Sequence, residues 1–299
     1  MFSLVQAMWD PSQPLYSQWV LHEDPTVGSP PGWWGVELIS PLLRDFPGSE
    51  WRHDVQAVWD FIAQHYFVGG QKVGDMTCST HVHISRAEGY SVSDLKKIAQ
   101  AIIYFEPAFE PILPPDRRGN EYARSNWIDN PSFGYKNLSR DQSIDYLETL
   151  TTIDQVIDTM CPNQSKYFGW NFVSVKKFST IEFRRGPYSA TVDDVYMWVD
   201  VAESFIKSAL AIQSKSQLQQ NPVTVGGLET FLTRAPSTGP RYLSRLFAGK
   251  TLTARGDPIP VGKLTPSKQA LLQKKINADI ASQPTLDMIA AAQTDHTFY

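Results

Sequence analysis

The chain has 299 residues, 42% of them hydrophobic and 19% charged, and a formal net charge of −4. That composition excludes a disordered chain, and the length allows one large folded domain or two small ones. The mild negative charge excludes a broad electrostatic grip on nucleic acid or anionic lipid, while remaining compatible with a local basic cleft.

Ser17 to Glu23 reads as a strand, 28–32 as a turn and Trp33 to Ser40 as a second strand ended by Pro41; together they form a hairpin. Glu50 to Phe67 carries Val55, Val58, Phe61 and Ile62 at helical spacing, and Gly69-Gly70 stops it. Thr80 to Ser85 alternates at strand period. Ser91 to Leu113 reads as a long helix with Ser91 and Ser93 as candidate caps, kinked at Pro107 and ended by Pro114-Pro115. Asp116 to Arg140 is polar and is expected to be a surface loop. A short helix is expected from Thr151 to Met160. Two strands follow, Phe168 to Val175 and Ser179 to Arg185, with a tight connection through Lys176, Lys177 and Phe178. Val192 to Ile212 is a strong helix with Asp193 and Asp194 in its first turn. Beyond Gln213, shorter helices are expected at 228–233, 241–247 and 266–281, as a tail packed around the core.

No apolar run approaches the roughly 20 residues of a membrane span. Met1 to Asp10 lacks the basic start and apolar stretch of a signal peptide. The two cysteines, Cys78 and Cys161, make no disulfide framework, so a reducing cytosolic setting is expected. The nine tryptophans suit dense packing or an aromatic-lined cleft.

Four places carry candidate chemistry. His81 and His83 lie two residues apart on one strand and face one side, with Val82 and Ile84 on the other. Such a pair either serves a pocket or forms ordinary surface hydrogen bonds. Glu182 and Arg184 likewise share a face opposite Ile181 and Phe183. Buried charges are costly unless paired or ligated, so the two make either an ion pair or a metal-holding carboxylate beside a phosphate-holding arginine. Arg185 points to the other face unless a bulge at Gly186-Pro187 turns it. Glu37 is an acid within an apolar strand, and Arg117 and Arg118 sit in the polar loop. Cys78, three residues before His81, reads more simply as a packed thiol than as a nucleophile. No zinc spacing and no glycine-rich phosphate loop is present.

These residues resemble the motifs of the amidoligases, a family often found in fungal genomes and related to glutamine synthetase and glutamate–cysteine ligase. Cys78-Ser79-Thr80-His81-Val82-His83 resembles the family's C-G-x-H-V-H, and Thr180-Ile181-Glu182-Phe183-Arg184 resembles its T-I-E-F-R strand. Gly35 to Pro41 resembles G-V-E-L-V-S-P, and Arg117 to Tyr122 resembles R-x-x-N-x-Y. The resemblance implies an α+β fold: a curved antiparallel half-barrel or funnel, glutamine synthetase-like and backed by helices. It places a catalytic domain over residues 1–212 and a helical C-terminal extension over 213–299. It implies ligation of a small-molecule carboxylate to an amine with ATP and Mg²⁺. His81, Glu182 and Glu37 would then hold metal, and Arg184, Arg185 and Arg117 would hold the nucleotide. His81, His83, Glu182 and Arg184 would be catalytic.

Two departures qualify this expectation. The family's leading Glu-x-Glu strand has no counterpart before Trp19, so either the chain lacks its true first strand or part of the metal site is lost, and Ser79 replaces the motif's glycine. Losing two carboxylates weakens Mg²⁺ binding severely. Three readings stay open: the ligase, an ATP-independent enzyme doing acid–base cyclisation or isomerisation on the same scaffold, and a non-catalytic small-molecule-binding protein.

Overall fold

A computed structural model of the chain describes residues 16–24, 27, 31–67, 78–234, 242–262 and 265–267, with 270, 273, 274 and 277 beyond. The helix expected over 266–281 falls largely outside the described residues. Two compact units emerge, one of Met1–Thr77 with Leu264–Tyr299 and one of Cys78–Lys263.

In the first unit, β1 (Val20–Glu23) and β2 (Val36–Ile39) pair antiparallel, with His22 opposite Glu37. The hairpin was legible from the turn residues at 28–32 and the stop at Pro41; its paired portion is shorter than the expected strands. Gly35 is required there, because a Cβ would lie 2.8 Å from Asp24 O and from Val27. The helix α1 (Trp51–His65) follows, with Trp51 Nε1 donating to Asp45 Oδ1 at 3.0 Å.

The second unit is built on a small open antiparallel sheet in the order β3-β5-β4: β3 (Ser79–Ser85), β4 (Trp170–Asn171) and β5 (Thr180–Pro187). The middle strand, β5, is buried on both faces. Its back face presents Ile181 and Phe183, neither of them exposed, and Phe183 packs against Trp170, Trp198 and Phe109. Each such side chain contributes about 1.5–3 kcal/mol on burial. Behind the sheet lie α2 (Val92–Phe109) and α6 (Val192–Ala211), both closed at the N-terminus by a capping box, Ser91 with Asp94 and Thr191 with Asp194. Pro111 has no N–H for the Pro107 carbonyl four residues earlier, and the Gly256 N–H donates to it instead at 2.9 Å. The sheet and its helices agree with the α+β expectation. Among the described residues no helix is long and apolar enough to cross a membrane.

Three expectations fail. First, Asp116 to Arg140 is no surface loop: Arg117, Ala123, Asn126, Asn130 and Phe133 are buried. Its interior backbone needs partners, and asparagine side chains supply them. Asn126 both donates to Trp170 O and accepts from Trp170 N, at 2.9 Å each, as a neighbouring strand would. Second, residues 168–175 do not form one strand. After two residues of β4 the chain turns into α5 (Val173–Phe178), because Asn171 Oδ1 accepts from Val173 N at 2.8 Å, and Ser179 ends the helix at φ 54°. Third, two helices were missed. They are α3 (Arg140–Glu148), whose surface is mostly polar, and α7 (Lys215–Gln219), only five residues long.

The remaining helices are α4 (Ile153–Met160), α8 (Val225–Leu232) and α9 (Leu243–Phe247). Residues 213–262 lie in the second unit: α8 packs on α2 and α6, and Tyr104 donates to Asn221 O at 2.6 Å.

Behind β5 sits a charged cluster that the sequence did not announce. Glu106 on α2 and Glu110 one turn later at its C-cap are 2% and 3% exposed. Burial pushes the Glu106 carboxyl up to about 7, against the pull of Arg185 and of hydrogen bonds from Ser125 Oγ and Asn126 N. A raised carboxyl favours folding fully below its unfolded value, and that contribution is lost as pH rises through about 7. Glu106→Gln is therefore expected to remove on the order of 2–3 kcal/mol of the stability change between pH 5 and 8. Urea unfolding at both pH values reads this directly; equal slopes for variant and parent would refute it.

Candidate active site

The expected pairs meet on the front face of β5. Between Thr80↔Gly186 and Val82↔Phe183 the register shifts, so His81 of β3 lies opposite the two-residue step Arg184-Arg185 of the β5 backbone. His83 lies directly opposite Glu182. The carboxylate is the hub. Glu182 Oε1 accepts from Arg184 Nη1 at 2.5 Å, and Oε2 accepts from Asn171 Nδ2 at 2.6 Å. His81 Nδ1 lies 3.4 Å and His83 Nε2 3.6 Å from Oε1. The outer nitrogens meet hydroxyls: His81 Nε2 is 2.7 Å from Ser79 Oγ, and His83 Nδ1 is 2.9 Å from Thr180 Oγ1.

Burial opposes ionisation of Glu182, but Arg184, then His83 and His81, outweigh it and hold the carboxyl well below the usual range. Protein packed beneath His81 disfavours its imidazolium; Arg184 adds to this and Glu182 opposes it. The net effect lowers His81 well below 6.5. Its side chain nevertheless keeps 29% of its exposure, and that of His83 41%, against 5% for Glu182. Crowding rather than full enclosure therefore acts on His81. A solute reaches the imidazoles, with an ionised carboxylate behind them. A neutral, accessible imidazole oriented by a carboxylate is equipped to accept a proton.

The arginines divide. Arg184 lies between Glu182 and the loop, its Nε donating to Tyr122 O at 3.3 Å and its guanidinium over the Tyr167 ring. Arg117 is buried beneath β5, its Nη2 donating to Arg184 O at 2.7 Å, and burial followed by the nearby Arg184 lowers it to about 10. Arg185 points to the opposite side, into an ion pair with Glu110. Glu37 belongs to the first unit, whereas His81, His83, Arg117, Glu182, Arg184 and Arg185 all belong to the second.

Asn171 is a site residue the sequence reading missed. It donates to Glu182 and also to Ser174 Oγ at 2.9 Å, while its Oδ1 makes the turn into α5. The signal available was Asn171 with Ser174 three residues later, an asparagine turn-former just before a helix. Gly169 is needed for a different reason. A Cβ there would lie 2.7 Å from Arg185 Cδ and 2.8 Å from Cγ. Gly169→Ala is expected to cost about 1–3 kcal/mol through overpacking, read as a lower urea midpoint. An unchanged midpoint would show that Arg185 yields freely.

A family model described as "putative amidoligase enzyme" matches residues 12–206, more than half of the chain and the whole of the β3–β5–β4 sheet. No curated protein and no solved structure matches the chain.

Proposed function

This chain belongs to the amidoligase family, and from that premise we propose that it joins a small-molecule carboxylate to an amine at the His81–His83–Glu182 face. The observation that carries the reading is the neutral, solvent-facing His81 held against an ionised, buried Glu182. With Nδ1–H directed at the carboxylate, Nε2 is the basic nitrogen. An amine attacking an acyl carbon must lose a proton; His81 Nε2 takes it and returns it to the group whose bond to that carbon breaks. Glu182 stabilises the imidazolium that results, and Arg184 keeps Glu182 ionised. On the same premise the sheet is part of a curved glutamine synthetase-like half-barrel, a reading supported by its backing helices α2 and α6. A cytosolic setting is proposed because two cysteines, Cys78 and Cys161, make no disulfide framework.

The family resemblance also implies ATP, whose phosphate would turn the carboxylate into a better acyl group, and Mg²⁺. The residues do not fit either as they stand. Mg²⁺ demands near-octahedral oxygen ligation, and both oxygens of Glu182 already accept from Arg184 and Asn171. Among the described residues no three His, Cys, Asp or Glu side chains converge as a metal site. Arg117, Arg184 and Arg185 are 1%, 6% and 3% exposed and bound to backbone, Glu182 and Glu110. The same occupied carboxylate favours a second reading, ATP-independent acid–base chemistry by the imidazoles.

The test is product formation from paired carboxylates and amines, with and without Mg²⁺-ATP, read by mass spectrometry. An amide product that disappears in folded His81→Ala is expected. Product at the parent rate from His81→Ala would overturn the reading, and calorimetry with Mg²⁺-ATP separates the two forms of it.

A further inference from the structure

Ser79 stands where the family motif has glycine, and its hydroxyl makes a contact that glycine cannot. Ser79 Oγ lies 2.7 Å from His81 Nε2, and the other ring nitrogen faces Glu182 Oε1 at 3.4 Å. The order hydroxyl, imidazole, carboxylate is that of an activated nucleophile, a base and the group that orients the base. The carboxylate is held in turn by Asn171 and Arg184. The 3.4 Å separation is long for a hydrogen bond, as catalytic contacts commonly are before a substrate tightens them. A mirror arrangement, Thr180 Oγ1 to His83 to the same Oε1, is longer at 2.9 and 3.6 Å. Thr180 is only 6% exposed, whereas Ser79 is half-buried at the start of β3. The accessible hydroxyl is therefore Ser79.

We propose that Ser79 is a catalytic nucleophile, with His81 as its base and Glu182 orienting the base, and that the site takes esters, thioesters or amides of small carboxylic acids as acyl donors. Ser79 Oγ bonds to the acyl carbon and its proton passes to His81 Nε2. The bond to the leaving alcohol, thiol or amine then breaks, and the leaving group takes that proton. The acyl group now sits as an ester on Ser79. An incoming amine loses its proton to His81 and forms the amide, and Ser79 recovers its hydrogen as it departs. Water in place of the amine gives hydrolysis. The acyl donor supplies the driving force, so the balance needs neither nucleotide nor metal. This deepens the amide-forming reading and rests on it for the second half-reaction alone.

The test uses the full chain with two probes: a fluorophosphonate, read by intact mass and peptide mapping, and p-nitrophenyl acetate, read for a burst of nitrophenol. The parent is expected to gain one adduct, on Ser79, and to show a burst. Ser79→Gly, which restores the family residue, is expected to lose both the adduct and the burst, and His81→Ala to react about 10²–10⁴-fold more slowly. Circular dichroism checks that each is folded. Should either variant fail to fold, the mapped adduct in the parent decides. An adduct on another residue, reaction at the parent rate in Ser79→Gly, or no reaction of the parent with either probe overturns the proposal. A labelled Ser79 in a protein that forms no amide removes only the amide-forming reading. Amide formation undiminished in Ser79→Gly removes only the nucleophile.

Discussion

Arg184→Met is expected to lower the free energy of unfolding by about 3–5 kcal/mol, the usual cost of removing one partner of a buried ion pair. Glu182 is 4% exposed and its Oε1 has Arg184 as its nearest cation. The methionine fills much of the volume but leaves the carboxylate buried beside two imidazoles. The pH dependence gives an independent check. The folded-state value of Glu182 lies below its unfolded value. Its contribution is therefore complete above about pH 4.5 and is lost as pH falls through the folded value. The parent should weaken on acidification across that window and Arg184→Met should weaken less. The double variant Arg184→Met/Glu182→Leu should recover most of the loss, because a pair replaced by apolar groups is often neutral. Urea unfolding of the parent, the two single variants Arg184→Met and Glu182→Leu, and the double variant closes the cycle. Arg184→Met as stable as the parent would show that the imidazoles alone compensate Glu182.

His81→Ala is expected to slow acyl transfer about 10²–10⁴-fold, the range for loss of a positioned general base. The pH profile distinguishes this from a packing effect. A base works when unprotonated, and crowding and Arg184 hold His81 well below 6.5. The acid limb of the parent's rate should therefore fall well below pH 6.5. In Arg184→Met, assayed where it remains folded, loss of that cation should move the limb upward. An acid limb at or above 6.5 in the parent, or one that stays put when Arg184 is removed, would assign the base elsewhere. p-Nitrophenyl acetate serves as the acyl donor for both measurements.

Both expectations depend on contacts of unequal legibility. The alternation of Thr80 to Ser85 put His81 and His83 on one face, and that of Ile181 to Arg184 paired Glu182 with Arg184. Side-chain direction in a strand follows from its two-residue period, so these placements needed no tertiary information. Arg185 was expected on the opposite face, and there it pairs with Glu110. The roles expected of Arg117 and Arg185 are another matter. A guanidinium in a sequence does not reveal whether it meets solvent or a carbonyl, and Arg117 meets the carbonyl of Arg184.

What the sequence by itself determined is therefore local: the hairpin and the strands β3 and β5, the main helices with the Ser91 cap of α2, the faces on which side chains stand, and the family motifs. Each follows from dihedral preference, periodicity or a hydrogen bond within a few residues. The tertiary structure alone decided which long-range partners saturate those side chains. Asn171 reaches Glu182 across β4 and β5, Asn126 replaces a strand beside Trp170, and Glu110 meets Arg185 from a helix 75 positions away. The electrostatic state of a buried group is set by all its neighbours at once. Whether Glu182 is a free ligand or an occupied hub is thus a property of the packed sheet, beyond the reach of its own strand.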